Sequence, residues 1–263
     1  MARAIYGGLL DSGFTATNIS IVDPSTAAQD NARQAGIEQV FDRAPDEALS
    51  ADLIVLAIKP QITNAGLTPL AGRLGPNSVV LSIVAGISTR SLATLLGLSD
   101  SGPIIRCMPN TPALVGEGMT GLYSNSHAGA AEGKALAERV MSSVGQCVWV
   151  EKEPDLDVVT AISGSGPAYF FLFIESLTDA AIALGMDSES ARKLALQTAL
   201  GASRLASLSD EDAATLRKNV TSPGGTTEQA IQSFETSDIR GIVARATQAA
   251  ARRSVELSQE FGV

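Results

Sequence analysis

The chain has 263 residues, 45% of them hydrophobic, enough to bury one large core or two modest ones. Its 28 acidic against 19 basic residues leave a net charge of -9, which argues against nucleic acid or an anionic membrane as the main partner and requires an anionic substrate to be held by local groups. Two distant cysteines, Cys107 and Cys147, and one histidine, His127, suggest neither a disulfide framework nor a metal site, and remove most zinc and Ser-His chemistry.

In chain order, residues 1–10 read as a helix ended by Gly13, and residues 19–22 as a strand running into Asp23-Pro24-Ser25. A helix over 28–35 follows, with Gly36 as its C-cap, then strands over 53–58 and 79–84. The first of these strands runs into Lys59-Pro60 and the second into Ala85-Gly86-Ile87. A helix over 88–96 capped by Gly97, strands over 104–107 and 121–123, a helix over 130–144 capped by Gly145, and a strand over 147–150 complete this part. Alternating strands and helices predict a parallel sheet covered on both faces. His127 falls in a polar stretch ahead of the 130–144 helix, where no catalytic role is expected of it.

After Glu151-Lys152-Glu153-Pro154 the character changes to long Ala- and Leu-rich helices with no strand, which places a domain boundary near Pro154. Within this part, Tyr169-Phe170-Phe171-Leu172-Phe173-Ile174 is apolar all round and has to be buried on every side, most simply against a second copy of the chain. Just before it, Ser163-Gly164-Ser165-Gly166-Pro167 offers small residues and a proline where a helix starts or bends, so another backbone or a flat ring can come close. With no signal peptide and no apolar run expected to span a bilayer, the sequence reads as cytoplasmic.

The run Thr221-Ser222-Pro223-Gly224-Gly225-Thr226-Thr227 crowds hydroxyls and unhindered backbone N–H groups ahead of a helix. Such a loop suits a small anion, because glycines let the N–H groups converge and the helix N-terminus favours negative charge. A helix-capping loop is the other reading, since Ser and Thr ahead of Glu228 also make good caps.

One absence stands out. A doubly wound domain opens with a strand, a Gly-rich turn and then a helix, whereas this chain opens on the helix. Losing a central strand exposes several large side chains at about 1.5 to 3 kcal/mol each, so the expectation is that the first strand and its glycines are missing from the chain as written.

Three motifs, Arg106-Cys107-Met108-Pro109-Asn110-Thr111-Pro112-Ala113, Ser163-Gly164-Ser165-Gly166-Pro167-Ala168-Tyr169 and the 221–227 run, together resemble pyrroline-5-carboxylate reductase over essentially the whole chain. The resemblance implies a Rossmann-like α/β dinucleotide-binding domain over 1–153, followed by an all-helical dimerisation and substrate-binding domain over 154–263. It implies reduction of 1-pyrroline-5-carboxylate to L-proline by hydride from NADPH, with NADH also possible. Substrate would be held by Ser222, Gly224, Gly225, Thr226 and Thr227, the Thr227 hydroxyl facing the ring nitrogen as the catalytic group. Cofactor would be held by Met1 and Ala2, which match the tail of the family's Gly-rich turn, and by Asp23, Pro24, Ser25, Ala57, Lys59, Pro60, Ala85, Gly86 and Asn110. Asp23 would accept from a ribose 2'-hydroxyl and repel a 2'-phosphate, whereas Ser25 could donate to that phosphate. Asn110 would orient loops near the nicotinamide or cap the turn before Pro112. Ala44 departs from the asparagine common there in the family. The implied partners are the small-molecule substrate and a second copy, with dimers able to form a larger ring. Two alternatives stand beside this reading: an impaired homologue that dimerises but binds cofactor poorly, and a related hydroxyacid dehydrogenase. The latter would carry a catalytic lysine on the helix over 168–173, which has none.

Overall fold

The computed structural model describes residues 1–99, 102–125 and 130–261. The chain divides into two compact units, Met1–Ser165 with Ala250–Val263, and Gly166–Ala249. The sheet unit therefore extends past Pro154, where composition places the change of character, and takes the last turns of the C-terminal helix as well.

In the sheet unit the elements are α1 (Ala2–Asp11), β1 (Ser20–Val22), α2 (Thr26–Gln34), β2 (Gln39–Phe41), α3 (Asp46–Leu49), β3 (Leu53–Leu56), α4 (Thr63–Leu67), β4 (Val79–Ser82), α5 (Thr89–Leu96), β5 (Ile104–Met108), β6 (Gly118–Ser124), α6 (Ala130–Ser142), β7 (Gly145–Trp149) and α7 (Asp155–Val159). Five strands form one sheet in the order β3-β4-β5-β6-β7, while β1 and β2 form a separate parallel ribbon. The sheet is mixed rather than parallel throughout, because β5 and β6 run antiparallel, Cys107 opposite Leu122. The short 3-10 turn Thr111–Val115 joins them, and a parallel return needs a crossover of about a dozen residues or more. Sequence patterning also missed β2, since Gln39-Val40-Phe41 is too short to show a period.

Why this sheet holds is visible in β4, where Val79, Val80, Leu81 and Ser82 are all buried, as expected of a strand covered on both faces. Period-two alternation sends Leu81 and Ile105 to one core with Ile5, Tyr6 and Leu9 of α1 and Met141 of α6. Val80 and Ile104 turn to the other, with Leu67 of α4 and Leu92 and Leu96 of α5. Each of these side chains contributes about 1.5 to 3 kcal/mol on full burial. Gly97 ends α5 in the left-handed region as expected. Gly145, expected as a helix cap, instead opens β7 where a side chain would collide with the Gly118 backbone.

The helical unit contains α8 (Gly166–Ala183), α9 (Ser188–Leu208), α10 (Ala213–Asn219), α11 (Thr226–Thr236) and most of α12 (Ile239–Phe261). Asp187 and Asp212 cap α9 and α10, accepting the Ser190 and Thr215 N–H groups at 3.0 and 2.7 Å. These hydrogen bonds hold both carboxyls below their ordinary range.

The expectation that no apolar run is long enough to cross a bilayer needs correcting. α7, a π-helical turn at Thr160–Gly164 and α8 run on as one stretch, Asp155–Ala183, which is long and apolar enough by length and composition. Pro167 lies in the first turn of α8, where its missing N–H does not break the helix. Within the single chain the apolar face is open: Phe170, Phe171 and Leu172 are 64%, 63% and 62% exposed.

Candidate active site

The loop singled out in the sequence lies in the helical unit, between α10 and α11. Gly225 N–H donates to the Ser222 carbonyl at 3.0 Å and closes a tight turn. Gly224 sits at φ +72, a left-handed value that glycine adopts without strain. Gly225 is the N-cap of α11 and no side chain caps it, so the first N–H groups of α11 lack intrahelical acceptors. The Glu228 carboxylate, one turn into α11, folds back and accepts the Gly224 N–H at 2.8 Å. The anion-site and capping readings thus meet in the same atoms: the loop already holds a carboxylate, and it is the chain's own. Ser222, Gly224 and Thr226 are exposed, while Gly225 and Thr227 are half-buried.

The residues expected to hold the cofactor lie in the sheet unit. Those that follow strands do so at the carboxyl ends, where open α/β sheets bind ligands. After β1, Asp23 Oδ1 accepts the Ser25 N–H at 2.8 Å and the Asp23 carbonyl accepts from Gln29 Nε2 at 2.8 Å. Ser25 is the exposed N-cap of α2, with no side-chain capping bond. Following β3, Ala57 and Lys59 are exposed and Pro60 opens a 3-10 turn. The Lys59 ammonium pairs with no carboxylate among the described residues. After β4, Ala85 is exposed and Gly86 takes φ +76. A Cβ on Gly86 would lie 3.3 Å from the Leu257 backbone at the end of α12. Met1 and Ala2 start α1, whose N-terminus has no side-chain cap. Small residues and a left-handed glycine after β3 and β4, and the uncapped starts of α1 and α2, fit a dinucleotide, whose phosphates favour helix N-termini and close backbone approach.

Asn110 is placed differently from the others. Its side chain faces into the protein, with Oδ1 accepting the Met119 N–H at 2.9 Å and Nδ2 donating to the Ser163 carbonyl at 3.0 Å. His127 lies outside the described residues. Burial pushes the Cys107 and Cys147 thiols up, so neither is poised as a nucleophile. Among the described residues no group of three or more His, Cys, Asp or Glu could hold a metal ion.

Sequence reading missed the network around Glu153. This carboxylate accepts from Arg106 Nη1 at 2.8 Å, from Thr89 N–H at 2.7 Å and from the Thr89 hydroxyl at 2.9 Å. It ties β5, the start of α5 and the approach to α7 together. Tyr123, opposite Arg106 in the sheet, has its phenol raised by burial and then by the Glu153 charge. Nothing local to Glu151-Lys152-Glu153 marks its third residue as the one that turns inward.

Residues 153–257 match the family profile described as pyrroline-5-carboxylate reductase dimerisation, and residues 1–86 match that of NADP oxidoreductase, coenzyme F420-dependent. The chain is 43% identical to the pyrroline-5-carboxylate reductase of Pseudomonas aeruginosa, covering 100% of this chain and 95% of the relative. It is 35% identical to the Arabidopsis thaliana enzyme over 98% of this chain and 92% of that one. Among solved structures, a pyrroline-5-carboxylate reductase from Coxiella burnetii superposes with a TM-score of 0.92 at 38% identity, covering 97% of this chain and 94% of the other. The Plasmodium falciparum enzyme, with NADP bound, gives 0.82 at 31% identity over 97% and 93%. Whole-length likeness of this kind shows that the chain belongs to the pyrroline-5-carboxylate reductase family.

Proposed function

We propose that the 222–227 loop binds the carboxylate of 1-pyrroline-5-carboxylate and that Thr227 hydrogen-bonds its ring nitrogen. The chain is an NAD(P)H-dependent reductase that converts this imine to L-proline in proline biosynthesis. The observation that supports the loop assignment is the 2.8 Å bond from Gly224 N–H to the Glu228 carboxylate, in which this backbone donates to a carboxylate with no arginine beside it. Ser222 and Thr226 add hydroxyl donors, and Gly225, whose own N–H closes the turn onto the Ser222 carbonyl, leaves room for the carboxylate.

When bound, the reduced nicotinamide supplies the hydride that adds to the carbon of the C=N bond. The nitrogen ends the reaction with one more proton than the free imine. Thr227 is a weak acid, so its main effect is to orient the ring and hold the protonated nitrogen, the proton coming from solvent before the substrate settles. Met1, Ala2, Asp23, Pro24, Ser25, Ala57, Lys59, Pro60, Ala85 and Gly86 hold the dinucleotide, and Asn110 acts on the same edge through its bonds to Met119 and Ser163. NADPH is the preferred reductant in this reading, with Ser25 donating to the 2'-phosphate and Lys59 supplying positive charge.

The domains of this reading are 1–153 for the dinucleotide and 154–263 for dimerisation and substrate. The family's dimerisation region supports a homo-oligomer. The open face of α8 supports a dimer as its unit, and we extend this to dimers gathered into a larger ring in the cytoplasm, without membrane or nucleic acid as partners. Two variants test the loop. Thr227→Val should lower kcat about 100- to 1,000-fold with NADPH affinity unchanged. Gly225→Val, whose new Cβ would meet the Ser222 carbonyl at 3.0 Å, should chiefly raise KM for the imine. Wild-type kinetics in both would remove the loop from the active site.

A further inference from the structure

We propose that Asn110 is a positioning residue for hydride transfer: it supplies the hydrogen-bond donor that Pro167 lacks, and so holds the π-helical turn Thr160–Gly164 at the carboxyl end of β5. In an α-helix the carbonyl of one residue accepts the N–H four residues on. For Ser163 that residue is Pro167, which has no N–H. The backbone winds wide at this point, with Ser165 N–H donating to the Thr160 carbonyl at 2.8 Å. Asn110 Nδ2 reaches in from the loop after β5 and donates to the Ser163 carbonyl at 3.0 Å, while its Oδ1 takes the Met119 N–H at 2.9 Å. The residue is only 9% exposed, so a bond left unmade there is not replaced cheaply by water.

Packing locks the turn to the sheet. A Cβ on Gly164 would lie 2.7 Å from Met108 Cε, and Val159 fills the space over Gly121. From α7, Asp157 accepts the Ser254 hydroxyl of α12 at 2.6 Å, and Leu257, one turn further along α12, lies against Gly86. The π-turn and the loop after β4 therefore belong to one packed wall of the sheet unit. Short π-helical stretches are frequent at functional sites. The inference rests on the cofactor reading of the carboxyl edge given above.

Asn110→Asp keeps an acceptor for Met119 and loses the donor to Ser163. In the full-length oligomer its kcat with NADPH and 1-pyrroline-5-carboxylate should fall about 10- to 100-fold, the cost of a small misplacement. The NADPH Kd, read by fluorescence titration, should stay within about twofold, and the isotope effect with 4-deuterated NADPH should rise. Pro167→Ala restores the missing N–H, so the double variant Asn110→Ala with Pro167→Ala should recover at least about threefold in kcat over Asn110→Ala alone. This pair also serves if Asn110→Asp fails to fold. Wild-type kcat in Asn110→Asp, a loss carried wholly by NADPH affinity, or no recovery in the double variant would each overturn the proposal. A Gly86→Val variant that binds NADPH like the wild type would instead remove the cofactor edge, and this proposal with it.

Discussion

The two units of this chain solve the burial problem in opposite ways. In the sheet unit, Leu81, Leu92, Leu96, Ile104 and Leu122 are wholly enclosed by their own chain. In the helical unit, Ala191 and Ala195 are the only hydrophobic residues buried among those described, while Phe170, Phe171, Leu172, Leu200 and Leu205 lie open. A sheet covered by helices closes its core within one chain, whereas an apolar helix left open by its own chain closes most simply against a second copy. The helical unit is therefore built as half of something, which accords with the dimerisation region of its family.

Breaking the helical half should have the largest effect. Phe171→Asp places a charge on the open face of α8 and should weaken self-association by about 2 kcal/mol or more, close to thirtyfold in Kd. Sedimentation velocity reads this directly, and an unchanged oligomer would show that the face is not the interface. On the sheet side, Glu153→Gln removes the charge that holds Arg106 at 2.8 Å. The two side chains are 13% and 22% exposed, so the loss should be about 2 kcal/mol, below the roughly 3 to 5 kcal/mol of a fully buried pair. Chemical denaturation should find that loss without any change in oligomeric state.

A smaller effect should come from the loop itself. Glu228→Gln takes away the internal carboxylate that accepts the Gly224 N–H and should lower KM for the imine about two- to fivefold, since a neutral amide competes less well for the donor. A KM that rises would mean that Glu228 supports the loop rather than competing for it. The smallest effect is the pH response of the two caps. Asp187 and Asp212 titrate below their ordinary value because they accept backbone N–H groups. Their contribution is present above the unfolded value, near 4, and is lost as pH falls through the lower folded value. The Tm difference between wild type and Asp212→Ala should therefore shrink below about pH 4, and a constant difference would contradict the capping account.

Much of this was legible in the residues. The positions of β4 and β5 followed from Val79-Val80-Leu81 and Ile104-Ile105, because strands buried on both faces read as unbroken apolar runs. Gly97 was readable as a cap because few other residues take its φ of +64. The antiparallel return at β6 was not, since strand direction depends on the length of a turn whose compactness comes from packing. β2 escaped for want of length. At the site, the glycine loop could be found from its own seven residues, but Glu228 as its internal occupant could not, because the same glutamate fits a plain capping box. Asn110 was found for its place in a motif; its partners, Met119 and Ser163, lie 9 and 53 residues away, a relation that no local pattern carries.

The central claim is tested most directly by mixing the purified chain with NADPH and 1-pyrroline-5-carboxylate and following nicotinamide absorbance together with proline. The account predicts NADPH oxidation that depends on the imine, with one proline formed for each NADPH consumed. No imine-dependent oxidation by the folded oligomer with either NADPH or NADH would contradict it.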